Sequence, residues 1–200
     1  MRNRPMARRV LMVDAHPAPG RFGTALAQSY AKGASDGGAE LRWLTLRDLA
    51  FDPILHTGYA RPQEWEPDLA VAFDSVEWAQ HIVFVYPTWW GGHPALLQGF
   101  FERLFLPKKA FSYHENDPFW DKLLKGRSAQ VITTMDTPRW YYWLVYRDSG
   151  LHRMKRTILG FVGIRARVWA IGNLRGRDDA KRAGHLTRAE RMGRKAARHG

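Results

Sequence analysis

Two kinds of apolar run take turns along this chain. Val10-Leu11-Met12-Val13 and Ile82-Val83-Phe84-Val85-Tyr86 are continuous and of strand length. Unbroken apolar character is what a strand shows when both of its faces are covered. Between such runs the pattern changes to a helical period. Phe22, Ala25, Leu26, Ser29 and Tyr30 share one face, and Gly37-Gly38 ends that helix. Leu69, Ala72, Phe73 and Val76 repeat the period after Pro67. Leu97, Phe100, Phe101, Leu104 and Phe105 do so again, with Pro94 suited to the helix's first turn.

Three further strands are expected at Leu41 to Leu46, Ala129 to Thr133 and Arg167 to Ile171. Met154 to Leu159 lies in a helix. A final helix, capped by Asp178 and Asp179, presents Ala189, Met192, Gly193, Ala196 and Ala197 inward. Residues 47 to 81 form a longer excursion between the second and third strands. Five strands alternating with helices predict an α/β three-layer sandwich. Its five-stranded parallel sheet has right-handed crossovers, helices on both faces and the flavodoxin-like strand order 2-1-3-4-5. The chain of 200 residues carries no internal repeat or linker and reads as a single domain over 1–200.

Composition narrows the chemistry. There is no cysteine, which removes disulfides, iron–sulfur clusters and thiol nucleophiles. The eight histidines form no H-x-x-x-H or H-E-x-x-H pair, so no metal site is expected. No apolar run approaches the roughly 20 residues of a bilayer span. No signal peptide is visible, the Arg8-Arg9 pair does not read as an export signal, and a cytoplasmic location is expected. The formal charge is +12, and residues 175–200 hold nine Lys/Arg against three Asp/Glu. A basic helix and tail over about 178–200 reads first as a solvated face. Its alternatives are attraction of a phosphorylated cofactor or contact with an anionic membrane. No nucleic-acid-binding motif accompanies the charge, so nucleic acid is not the expected partner.

In a sheet of this order, ligands bind beyond the carboxyl ends of the strands at the switch point. Three unusual segments fall there. The first, His16 to Thr24, leads into a helix N-terminus, whose free N–H groups and partial positive charge favour an anion. Arg21 adds a formal charge. The second, Pro87-Thr88-Trp89-Trp90-Gly91-Gly92-His93-Pro94, pairs flat apolar walls with glycines that let backbone approach a ligand. The third opens with Thr133 and Thr134, whose hydroxyls suit a polar ring edge, and runs through Met135, Asp136 and Tyr142. A planar, partly apolar ligand with an anionic end is the natural occupant. No G-x-G-x-x-G follows the first strand and no G-x-x-x-x-G-K-[ST] is present. Gly33-Ala34-Ser35-Asp36-Gly37 matches G-x-S-x-G but ends a helix instead of sitting on a strand-to-helix elbow, so it reads as a helix stop.

These residues resemble the NAD(P)H:quinone oxidoreductase family of flavodoxin-like flavoproteins. The resemblance rests on Ala15-His16 through Phe22, Pro87-Thr88-Trp89-Trp90-Gly91, the run Pro94 to Arg103, and Thr133-Thr134. It covers about residues 8 to 172. It implies a two-electron reductase with FMN, or FAD as the alternative, and with NADPH or NADH as hydride donor. It also implies a ping-pong reaction with a quinone-like acceptor and a homodimer with the active site at the subunit interface. By position, His16, Arg21, Phe22 and Gly23 would hold the flavin phosphate region. Pro87, Thr88, Trp89, Trp90 and Gly91 would lie against the isoalloxazine ring. Thr133 and Thr134, followed by Met135 and Asp136, would approach its polar edge. The tyrosine and histidine that assist hydride transfer would be Tyr141 or Tyr142, and His152. A second reading is a flavin-binding regulatory subunit of a membrane transport system, touching its partner through the basic tail.

Overall fold

The computed structural model describes residues 7–115, 117–175 and 178–198. Residues 199 and 200, the end of the expected basic tail, lie outside the described residues. The elements run β1 (Arg9–Asp14), α1 (Phe22–Asp36), β2 (Glu40–Thr45), α2 (Pro67–Trp78), β3 (His81–Pro87), α3 (Ala95–Leu104), β4 (Phe111–His114) and β5 (Asp117–Lys122). They continue with β6 (Ser128–Thr134), α4 (Arg139–Leu144), α5 (Ser149–His152), β7 (Arg165–Ile171) and α6 (Asp179–Arg198). Five strands form a parallel sheet in the order β2-β1-β3-β6-β7. That is the flavodoxin-like order expected from the sequence, with β6 and β7 as fourth and fifth strands.

The alternation of side chains across a strand sorts the core into two layers. Leu11, Val13, Ile82, Phe84 and Tyr86 face α2, α3 and the α5 segment. Val10, Met12, Val83 and Val85 face α1 and α6. The stripe read for α3 is buried as expected, with Leu97, Phe100, Phe101 and Leu104 against the sheet. Helix α1 is rotated from its expected face. It buries Gly23, Leu26, Ala27, Tyr30, Ala31, Gly33 and Ala34, because it packs on the sheet and on α6 together.

The α1–α6 seam is close. A Cβ on Gly193 would stand 2.0 Å from the Tyr30 carbonyl oxygen, and one on Gly33 would stand 1.9 Å from that of Glu190. The G-x-S-x-G pattern is thus a helix-packing device: Gly33 lies inside α1, and Gly37 caps its end. Asp178 caps α6 by accepting the Lys181 N–H at 2.8 Å.

One local expectation needs correction, and two details go beyond the sequence reading. Leu46 leaves β2 and turns into a 3₁₀ segment over Leu46–Asp48, which buries it. The Met154 to Leu159 helix is π-wound, continuing α5 to Gly160. An antiparallel hairpin, β4–β5, follows α3; its short, half-exposed strands carry too little periodicity to stand out in sequence. Trp120 and Phe111 hold it by packing on Phe161 at 4.4 and 5.0 Å between ring centroids.

The excursion after β2 is clamped by one buried guanidinium. Arg103 of α3 donates to the carbonyls of Asp52 and Glu64 and to both carboxylate oxygens of Glu66. Burial pushes the Glu66 carboxyl up. The Arg103 hydrogen bond, backbone N–H donors and the guanidinium charge outweigh it and leave a pKa below the ordinary 4.5. A lowered carboxyl stabilises the fold above its ordinary pKa and loses that stabilisation as pH falls through the lowered value.

Two predictions follow from the packing. Gly193→Ala should cost about 1–3 kcal/mol, because backbone and not a flexible side-chain tip blocks the new methyl. Gly184→Ala on the same helix, with nothing near its added Cβ, should gain about 0.5–1 kcal/mol; urea midpoints compare the two. Glu66→Gln should destabilise the wild-type fold by about 1–3 kcal/mol at pH 7. The gap should narrow as pH falls below 4.5.

Candidate functional site

The carboxyl ends of β1, β3 and β6 stand side by side, so the three segments singled out in sequence open on one crevice. The first segment is organised by Asp14, the last residue of β1 and fully buried. One of its oxygens accepts the His16 N–H at 3.2 Å. The other accepts the Thr24 hydroxyl at 2.8 Å and the Arg47 guanidinium at 2.9 Å. Arg47 also donates to the His16 carbonyl at 3.2 Å. His16 Nδ1 accepts the Ala18 N–H at 3.0 Å, so the ring is neutral with its proton on Nε2. Burial, the largest cause, holds its pKa below the ordinary value; the charges of Arg21 and Arg47 act the same way, and Asp14 opposes them. Arg21 occupies the N-cap of α1 with no side-chain cap bond. The first-turn N–H groups at Phe22 to Thr24 therefore face outward for an anion, with the positive end of the helix dipole behind them. Arg21 itself is exposed.

The second segment is a two-residue hairpin turn. Trp89 donates to the Gly92 carbonyl at 2.8 Å and Gly92 donates back at 2.9 Å. Trp90 and Gly91 sit between them with φ of 51° and 75°. Positive φ at both central residues defines a type I′ turn. A tryptophan there is strained, and its side chain is fully exposed. Trp89 packs edge-on against His16 at 5.8 Å, which joins the first two segments. Pro87, the last residue of β3, is buried, and Thr88 bonds twice to β6. Its N–H donates to the Thr134 carbonyl at 2.7 Å, and its hydroxyl meets that of Thr133 at 2.7 Å.

Thr133 and Thr134 are both buried at the end of β6. Met135 packs with Tyr142 and Leu151 in a small satellite core, and Asp136 is exposed. Tyr142 is buried, and its hydroxyl donates to the Gly91 carbonyl at 2.7 Å. Tyr141, its neighbour on α4, is partly exposed beside Trp140, Trp143 and Leu144, which are mostly exposed. His152 does not join the crevice. It lines a separate cavity of about 390 Å³ beside Arg139, Asp148 and Lys155 along edge strand β7. Arg139 and Asp148 form a two-pronged ion pair with both distances 2.6 Å, closing the α4–α5 turn.

Sequence reading missed four participants. Asp14 and Arg47 are 33 residues apart, and only the interruption of an apolar run by Asp14 hinted at it. Thr24 closes the first segment, but nothing in the sequence marks its bond to Asp14. Gly150 left no signal: a Cβ there would stand 2.0 Å from the Gly91 carbonyl oxygen, so it sets how closely α5 approaches the tryptophan turn.

A family model described as having a flavodoxin-like fold matches residues 8–192. An uncharacterized NAD(P)H oxidoreductase from Haemophilus influenzae is 30% identical over 129 residues, 62% of this chain and 63% of that protein. NAD(P)H dehydrogenase [quinone] 1 from Cavia porcellus is 28% identical over 175 residues, 76% of this chain and 60% of its own. The chain thus spans about three fifths of the length of these curated relatives. Among solved structures, Smu.1420 from Streptococcus mutans is 29% identical with a TM-score of 0.78, covering 94% of this chain and 99% of its own. An FMN-dependent NADH-azoreductase from Bacillus anthracis, solved with FMN, shares the fold at 16% identity and a TM-score of 0.73, covering 95% and 99%.

The strained turn makes a direct prediction. Trp90→Asn, which tolerates positive φ, should raise stability by about 1 kcal/mol. A β-branched Trp90→Val should lower it by a similar amount. Urea unfolding of both variants reads the difference.

Proposed function

The chain belongs to the Flavodoxin_2 family of flavodoxin-like folds, and from that premise we propose that it is a flavin-dependent NAD(P)H oxidoreductase. Its reaction is the two-electron reduction of quinones or similarly flat acceptors, in a ping-pong sequence where donor and acceptor use one place in turn. The observation that carries this reading is the meeting of an uncapped helix start and an aromatic type I′ turn at the carboxyl ends of adjacent strands. An anionic tail and a flat ring need those two features side by side. The Haemophilus and Cavia relatives carry oxidoreductase names, which supports the same activity here.

The residues present fit a flavin. The N–H groups at Phe22 to Thr24 have no capping side chain in competition with a phosphate, and Arg21 adds charge at the same place. A Cβ on Gly23 would make only ordinary contact, so that position tolerates a small side chain. Pro87 to Gly91 would flank the ring, and Thr133 and Thr134 would meet its edge, where Thr88 already engages the Thr133 hydroxyl and the Thr134 carbonyl. FMN suits the site, with FAD as the alternative; the FMN-bound azoreductase of the same fold supports the first. When bound, the flavin supplies hydride acceptance and donation. The chain's own residues bind, orient and shield. Asp14 and Arg47 hold the anion loop, Tyr142 fixes Gly91, and the tryptophans exclude water. Tyr141, open to solvent on α4, is the candidate for proton handling at donor and acceptor, whereas His152 faces the separate cavity along β7. The exposed Trp90, Trp140, Trp143 and Leu144 favour a homodimer that covers this face.

The test is a visible absorption spectrum of the purified protein before and after anaerobic NADPH. A yellow protein that bleaches with NADPH and recovers with a quinone is expected, with parallel double-reciprocal lines in initial-rate kinetics. Trp89→Ala should lose at least tenfold in flavin retention or turnover. A colourless protein that takes up neither FMN nor FAD would sink the enzyme reading.

A further inference from the structure

A cavity of about 870 Å³ lies at the amino ends of β3, β6 and β7, about 20 Å from the crevice, the length of a seven-residue strand. It sits between α6 and the sheet. Arg165 and Arg167 rise from β7, two residues apart and so on one face. Arg188, Arg191 and Lys195 descend from α6 at helical spacing. Lys155 and Arg8 complete the lining, which contains no aspartate or glutamate.

None of these seven cations is ion-paired among the described residues. The contrast on α6 itself is informative. Arg194 pairs with Glu190 at 2.9 Å, and Lys32 of α1 pairs with Glu190 at 3.0 Å and Asp36 at 2.9 Å. The outer seam between the helices is neutralised, whereas the concave side carries like charges facing each other. Such repulsion costs stability, and among the described residues no carboxylate pairs with these cations, although Arg188 lies over the Trp169 ring at 4.5 Å.

The floor is preorganised. Arg8 donates to the Ala196 carbonyl at 2.6 Å and to the Ser128 hydroxyl at 2.9 Å, while its buried Nε–H has no partner. Ser128 in turn bonds His81 at 2.8 Å, and His81 bonds Tyr30 at 3.0 Å. Burial, reinforced by the Arg8 charge, pushes the His81 pKa down to about 3, so the floor holds one charge, that of Arg8.

We propose that this cavity is a second ligand site, for a small soluble polyanion bearing two or more phosphate-type groups. Guanidinium forks match phosphate oxygens in geometry and charge. The volume is that of a small-molecule site. Its concavity places Arg8, half-buried on the floor, out of reach of a flat membrane. The most exposed tryptophans, Trp89, Trp90, Trp140 and Trp143, lie at the opposite end of the sheet, away from this cavity. The site is independent of the flavin reading, since the two share no residue.

The experiment is calorimetric titration of the full chain with inorganic tripolyphosphate in 150 mM potassium chloride. One-to-one saturable binding is expected. The exposed pair Arg167→Gln/Arg191→Gln should weaken it at least tenfold without lowering the unfolding midpoint. Arg61→Gln/Arg175→Gln, the same change of net charge away from the amino ends of β6 and β7, should leave affinity within twofold. Equal weakening by both pairs, or absence of saturation, would overturn the proposal by reducing it to general charge. So would tighter binding to phosphatidylglycerol vesicles or to a 20-nucleotide RNA that depends on Arg167 and Arg191, because the occupant would then be macromolecular.

Discussion

A carboxylate with no solvent exposure, Asp14, stands at the end of β1, and the crevice is built outward from it. Asp14 cannot be buried as an ion without partners. It finds them in the His16 N–H, the Thr24 hydroxyl and the Arg47 guanidinium. Each partner fixes a different stretch of chain: the loop after β1, the first turn of α1, and the 3₁₀ segment after β2. The burial of one charge therefore sets the direction in which α1 presents its free N–H groups. It also seats His16 where Trp89 can pack against it, so the anion end and the aromatic wall keep a fixed separation.

The second segment stores strain where the first stores charge. Trp90, Arg147 and Asp148 all adopt positive φ, and all three lie around the crevice or its α4–α5 wall. Surrounding contacts hold these conformations. The reciprocal Trp89–Gly92 bonds close one turn, and the Arg139–Asp148 ion pair closes the other. Tyr142 links them by bonding Gly91 from beneath. The strained turn keeps the Trp90 side chain outward, against the burial it would otherwise seek.

The two faces of the sheet are covered unequally. On the α2–α3 side a large aromatic core fills the layer. On the other side α6 is drawn tightly onto α1 by Gly33 and Gly193. That draw leaves the amino ends of β6 and β7 open beneath α6, and the opening is the cation-lined cavity. Close helix packing in one place and an unfilled concavity in another are thus consequences of one seam.

Much of this was legible in the chain by itself. The apolar runs and helical stripes specified five strands and the three segments at their carboxyl ends, because each strand and helix must match its own period to the face it buries; the order followed from the regular strand–helix alternation of this fold class. The Thr133-Thr134 pair and the Trp89-Trp90-Gly91 run were visible as unusual residues at strand ends. The pairings were not visible. Asp14 meets Arg47 across 33 residues, Tyr142 meets Gly91 across 51, and Arg8 meets Ala196 across 188. Sequence also showed that half the excess charge lies at the C-terminus. Only the fold joined it to Arg8, Arg165 and Arg167 in one cavity. Periodicity reports which side of a segment is buried, whereas the partner across the gap depends on topology and close approach, which no local pattern encodes.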